Sequence, residues 1–173
     1  MKNINSAPLP EESFLHLYKV SGAYTDCYSV GIDAQVSHAE FVQAFYTSTL
    51  FKLERFILGL LAARPSNDQQ ARDLAEGGSS TFAVWTVEKR DSCQLLLREF
   101  TGSTRSWLMV EVNQANNHTR LYFGSAVVPQ TDQKTGEQKM GWIFKRLLGF
   151  HKLYSKALLY YAVKNIEKAH SSN

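Results

Sequence analysis

The sequence predicts an α+β domain in which a curved antiparallel sheet packs on a long C-terminal helix, with two short helices after the first strand. Three observations predict it. Period-two alternation of apolar and polar residues recurs in short runs between residues 82 and 128, separated by tight turn signals. A capping signal and two apolar helical stripes follow the first strand-like run. A last segment, from Met140 to about Ala169, repeats apolar residues at three- and four-residue spacing.

Residues 1–13 carry Pro8 and Pro10 among polar residues and read as a flexible N-terminal arm, which leaves 14–170 as a single domain. Tyr24, Asp26, Tyr28 and Val30 alternate with Thr25, Cys27 and Ser29, so the first strand spans about 23–32. Ser37 followed by Glu40 has capping-box spacing and opens a helix over 38–46, with Phe41, Val42 and Phe45 on one face. Thr47, Ser48 and Thr49 interrupt it, because short hydroxyl side chains compete for backbone hydrogen bonds. A second helix, 50–63, has Leu50, Leu53, Ile57, Leu60 and Leu61 as its stripe and stops at Pro65. Polar residues 64–80 allow one short helical turn near 67–75. The run Gly77-Gly78-Ser79-Ser80 lacks the lysine of a phosphate loop and reads as a plain turn.

Four strands follow: Phe82–Lys89, Cys93–Phe100, Thr104–Val112 and Thr119–Val128. The short turns between them imply an antiparallel meander. Leu108, Val110 and Val112 share one face of the third, and Arg105, Trp107, Met109 and Glu111 share the other. Both faces are partly apolar, so each needs a cover: helix, ligand or a second copy of the chain. Ile143, Leu147, Phe150, Tyr154, Leu158 and Tyr161 form the expected stripe of the last helix, with Gly149 as its expected bend.

Composition narrows the function classes. The chain has 173 residues, enough for one real core, and 44% are hydrophobic. Its ten Phe, eight Tyr and three Trp suit a core or the wall of a cavity. A net charge of +3 is too mild to argue for nucleic acid. The basic residues of 139–168 form a face that can meet acidic lipid, an acidic partner or, as the plainer reading, only water. Two cysteines, Cys27 and Cys93, without metal spacing argue against a disulfide framework, and no apolar signal core or membrane span is apparent, so a cytoplasmic setting is expected. The five histidines are scattered, no metal site is expected, and no glycine-rich dinucleotide fingerprint or other cofactor motif occurs.

The order of elements resembles the helix-grip fold of the START-like superfamily, which includes lipid-transfer domains, polyketide cyclases and pollen-allergen-type ligand binders. The segments Phe82-Ala83-Val84-Trp85-Thr86-Val87, Arg105-Ser106-Trp107-Leu108, Thr119-Arg120-Leu121, Gly141-Trp142-Ile143-Phe144 and Leu148-Gly149-Phe150-His151-Lys152-Leu153 resemble an uncharacterised bacterial domain of that superfamily. Its relatives occur fused to short-chain-dehydrogenase-like proteins. The resemblance implies a cavity between sheet and C-terminal helix that takes a small apolar or amphipathic molecule.

The candidate ligand-binding residues are Trp85, Arg105, Trp107, Tyr122, His151 and Tyr154. Arg105 can pair with a ligand carboxylate and Trp107 can wall a pocket; the plainer reading puts Arg105 at a strand end and Trp107 in the core. His151 can exchange a proton or hold a ligand oxygen, or bond only to solvent. No catalytic residue is assigned. A cyclase-, dehydratase- or isomerase-type enzyme needs two of His151, Glu99, Glu111 and Arg105 to converge at the pocket. An interaction protein, dimerising through its sheet, is the third reading.

Overall fold

The computed structural model describes residues 3–53, 66–131, 138–139 and 142–171. Its centre is a seven-stranded antiparallel sheet in the order β1-β2-β7-β6-β5-β4-β3. The strands are β1 (Asn5–Ser6), β2 (Tyr24–Ile32), β3 (Thr81–Phe82), β4 (Trp85–Arg90), β5 (Gln94–Glu99), β6 (Thr104–Asn113) and β7 (His118–Val127). A two-stranded ladder, β8 (Gln130–Thr131) with β9 (Gln138–Lys139), follows. The helices are α1 (His16–Val20), α2 (His38–Tyr46), α3 (Asp68–Glu76) and α4 (Trp142–His170). Chain order differs from sheet order at one place: the first long strand, β2, pairs with β7 along its whole length. This sheet on a long C-terminal helix is a helix-grip-like arrangement.

Local chemistry explains the helix starts. Ser37 accepts from the Glu40 N–H at 3.1 Å and caps α2. The Glu40 carboxylate contacts His170 at the far end of α4. Asn67 and Gln70 form a reciprocal capping box on α3, and Gly77, with φ of 85°, ends it in the left-handed conformation. The second expected helix begins at residues 49–53, and its continuation lies outside the described residues.

Two strand expectations change. The single strand expected over 82–89 is broken at Ala83 and Val84, where the chain turns so that Phe82 pairs with Trp85. Ala83 has φ of 53°, in the left-handed region that few non-glycine residues adopt. Residues 5–10, expected within a flexible arm, are instead laid on the sheet. β1 pairs with β2, the Ala7 N–H bonds the Cys27 carbonyl, and Ala7 and Leu9 pack on apolar residues.

The sheet therefore separates two apolar layers. The inner layer joins Val30, Leu97, Leu108, Leu121 and Phe123 to residues of α2, α3 and α4. Phe45 lies at its aromatic centre, 4.8 Å from Phe123 and 5.1 Å from Tyr46, centroid to centroid. The outer layer joins Cys27, Leu96, Trp107, Met109, Tyr122 and Ala126 to Phe14 and Leu15. Gly124 makes that cover possible. A Cβ there would stand 2.9 Å from Leu15 Cδ1 and 2.7 Å from the Asp26 carbonyl. The outer face is thus covered by the chain's own N-terminal segment.

The face of α4 also differs from the expected stripe. Among the described side chains of α4 the buried ones are Ser155, Leu158, Leu159, Ala162, Val163 and Ile166, Tyr154 is partly buried against the core, and Tyr161 is exposed. Leu158 belongs to both sets. The repeat Leu158-Leu159, Ala162-Val163, Ile166 keeps the inward face small enough to approach α2, where Asn165 donates to the Ala44 carbonyl at 3.0 Å. Gly149 and the apolar side chains of residues 143–150 lie outside the described side chains.

Candidate functional site

A hollow of about 280 Å³ lies between the inner face of the sheet and α4. The β3–β4 hairpin contributes Val84 and Trp85, β7 contributes Phe123, Ser125 and Val127, and α4 contributes Tyr154, Ser155 and Leu158. Phe45, Phe51 and Phe100 complete the apolar wall. Its origin lies in the sequence of the strands. On β6 and β7 the inward positions run Leu108, Ser106 and Phe123, Ser125, so large residues give way to small ones toward one end. Ser106 pairs with Ser125, and the space above them is unfilled.

Most polar groups near the hollow are already engaged. The Ser106 hydroxyl is 3.1 Å from that of Tyr46. Ser125 donates from its N–H and its hydroxyl to Asp26 Oδ1, at 3.0 and 2.7 Å. The Glu99 carboxylate accepts from the Thr101 N–H and hydroxyl. Two groups stand apart. The Trp85 Nε1–H and the Ser155 hydroxyl are buried and have no hydrogen-bond partner among the described residues.

The sequence candidates divide between the two faces. Trp85 and Tyr154 line the hollow. Arg105 borders it only at the strand, because its guanidinium is committed to the outer face. Its Nε donates to the Tyr18 hydroxyl at 2.8 Å and lies 2.6 Å from Glu88, and a terminal nitrogen donates to the Gly102 carbonyl at 2.8 Å. Tyr18 also donates to Glu88, so the three side chains close a triangle that fastens α1 to β4 and β6. Burial, followed by the bond to Glu88, raises the Tyr18 pKa. Arg105 is therefore not placed to receive a carboxylate in the hollow.

Trp107 and Tyr122 are also on the outer face, against the expectation that they wall a pocket under the helix. Trp107 is fully buried and its N–H donates to Gln94 Oε1 at 2.9 Å. The same oxygen accepts the Phe14 N–H at 3.1 Å, and Gln94 Nε2 donates to the Glu12 carbonyl. Gln94 thus ties the N-terminal segment to the sheet through one side chain. The Tyr122 hydroxyl donates to Glu111 at 2.7 Å, and burial with that bond pushes its pKa up to about 12. His151 lies in α4, and its side chain is outside the described residues.

Two further grooves border the N-terminal segment. One, of about 440 Å³, has Lys19, Asp26, Lys152 and Lys156 in its wall; the other, of about 490 Å³, has His16, Lys19, Glu111 and Arg120. Both are larger than the hollow, but their charged walls suit water, whereas the hollow has an aromatic lining. Neither cysteine is poised as a nucleophile: burial pushes the Cys27 thiol up to about 12 and raises that of Cys93. Among the described residues, no three His, Cys, Asp or Glu side chains gather as metal ligands, and no helix is long and apolar enough to cross a membrane.

Sequence reasoning missed the wall residues Phe45, Phe51, Val84, Phe100, Phe123, Val127, Ser155 and Leu158 as site residues. The inward serines 106, 125 and 155 were the available signal: three small polar residues at positions where alternation or helical spacing demands apolar ones.

No protein-family model matches the chain, and no curated protein does. Among solved structures, the chain is similar over 97% of its length, and 94% of the other chain, to the crystal structure of CalU16 from Micromonospora echinospora, at 10% sequence identity and a TM-score of 0.32.

Proposed function

We propose that this domain binds a small apolar or amphipathic molecule in the hollow between its sheet and C-terminal helix. The observation that carries the reading is the aromatic-lined space of about 280 Å³ beside Ser106 and Ser125. It lies just below the usual range for ligand pockets, roughly 300–1,000 Å³, which suits a small ligand. A space walled by Phe45, Phe51, Phe100, Phe123 and Val127 is costly to leave to water and favours an apolar occupant.

The dimer reading was motivated by a sheet apolar on both faces, and on the outer one Phe14, Leu15 and their neighbours pack against the strands. For the enzyme reading, the Glu99 carboxylate is held by Thr101, Glu111 by Tyr122, and Arg105 by Glu88 and Tyr18. Of these, Glu99 and Arg105 both border the hollow, each already engaged by the partners named.

The test is titration of the purified protein with the neutral fluorescent probe N-phenyl-1-naphthylamine. One saturable site is expected, lost in the plugged variants Val127→Trp and Leu158→Trp while their thermal unfolding stays cooperative. Absence of saturable binding, or binding that neither plug disturbs, overturns the reading.

A further inference from the structure

The groove of about 440 Å³ beside the start of β2 brings together cations from two elements far apart in the chain. Its wall holds Lys19 of α1 and Lys152 and Lys156 of α4. The Lys156 ammonium lies 5.9 Å from the centre of the Tyr28 ring, part of the same wall. None of the three lysines makes an ion pair among the described residues. The wall has one carboxylate, Asp26, and it is engaged elsewhere. Its Oδ1 accepts from the N–H and hydroxyl of Ser125, and its Oδ2 is 3.4 Å from the Tyr28 hydroxyl. Three ammonium groups against one carboxylate leave a surplus of two positive charges.

The sequence also leaves a backbone donor here. β1 pairs with Tyr28 and Ser29, and the last bond along that edge runs from the Ala7 N–H to the Cys27 carbonyl. Pro8 follows, has no N–H and cannot extend the pairing. In an antiparallel strand, alternate residues aim their N–H and C=O at the same edge. The Cys27 carbonyl points to the β1 side, so the N–H and carbonyl of Thr25 point the same way, where β1 has ended. Thr25 makes no hydrogen bond on that edge among the described residues, and it belongs to the groove wall.

Lysines from two sides, a free backbone N–H and no uncommitted carboxylate suit an oxyanion. A surplus of two charges favours a dianion over a monoanion. We propose that this groove is an anion site for the phosphate group of a monoester. Lys19, Lys152 and Lys156 supply the charge, and the Thr25 N–H supplies a directional donor. None of these four residues is in the wall of the aromatic hollow, so the site does not depend on what the hollow holds. A soluble ester and a lipid headgroup present the same phosphate chemistry, and the experiment separates them.

Amide NMR spectra of the full chain, titrated with inorganic phosphate at constant ionic strength, test the site. Saturable shifts centred on Thr25 and Cys27 are expected. Acetate should bind at least about fivefold more weakly, the factor that one unit charge at contact is worth in water. Lys152→Gln and Lys156→Gln should each weaken phosphate about fivefold at an unchanged urea midpoint. Lys164→Gln, on the same helix but outside the groove, should leave binding as it was. Phosphatidylcholine vesicles containing phosphatidate then identify the source. Co-sedimentation that inorganic phosphate reverses puts the phosphate on a lipid; phosphate binding without co-sedimentation puts it on a soluble ester. Shifts that fail to saturate, that acetate reproduces at equal concentration, or that survive Lys152→Gln and Lys156→Gln combined, overturn the site.

Discussion

Trp107 and Trp85 stand on opposite faces of one sheet and meet opposite fates. Trp107 is fully buried, capped by Leu15, and its N–H is satisfied by Gln94. Trp85 is half-buried beside unfilled space, and its N–H is unmet. The same residue type thus completes a core on one face and borders a hollow on the other. The outer face is closed by a segment of the same chain, whereas the inner face leaves room at one end. One face is filled and the other is not, and substitutions on each should read differently.

The largest contrast comes from truncating each indole. Trp107→Ala should cost about 3–5 kcal/mol, read as a lowered urea midpoint. Trp85→Ala should cost about 1–2 kcal/mol, since its neighbours already face empty space. Equal losses would break the contrast. Next, Arg105→Met should cost about 3 kcal/mol, because it leaves Glu88 and Tyr18 without their cation. A normal unfolding midpoint combined with lost probe binding would instead return Arg105 to the ligand site. Gln94→Leu strands the Trp107 and Phe14 N–H groups and should cost about 2 kcal/mol. Hydrogen exchange at residues 5–15 should accelerate in this variant, and unchanged protection there would show that Gln94 does not hold the segment.

A smaller effect is read in pH. Burial, and then the Arg90 charge, lower the His38 pKa from 6.5 to about 4. The folded state therefore holds His38 neutral where the unfolded chain binds a proton. Stability should fall as pH is lowered from 6.5 toward 4, and His38→Gln should flatten that part of the profile. An identical profile in the variant would remove His38 from the account. The smallest effect belongs to Ser155→Ala. Removing an unpartnered buried hydroxyl should leave stability within about 0.5 kcal/mol of the parent, or raise it slightly. A clear loss would mean that the hydroxyl is bonded after all.

The sequence made much of this legible and some of it not. Alternation identified β2 and β6, the turns between runs set off β5 and β7, and capping residues located α2, because those signals are local. It also told that Arg105 and Trp107 share a face. It could not tell which face the helix covers, since that depends on pairing between strands far apart in the chain. The hairpin at Ala83 carries no glycine, asparagine or proline, so no turn residue announced it. Ala7, Leu9, Phe14 and Leu15 have neither period of a helix nor of a strand, so the segment that covers the outer face read as an arm. On α4, the large aromatic Tyr161 drew the stripe away from the small Ala162, which is the residue buried.

The sheet's outermost strands, β1 and β3, are two residues each. An extended peptide that pairs with either of these two strands finds only that length of backbone to zip against, too little to repay the freedom it would lose. Strand-by-strand growth into a fibre, or recruitment of a partner by adding to the sheet, is discouraged by the brevity of these two end pieces rather than by any charged side chain.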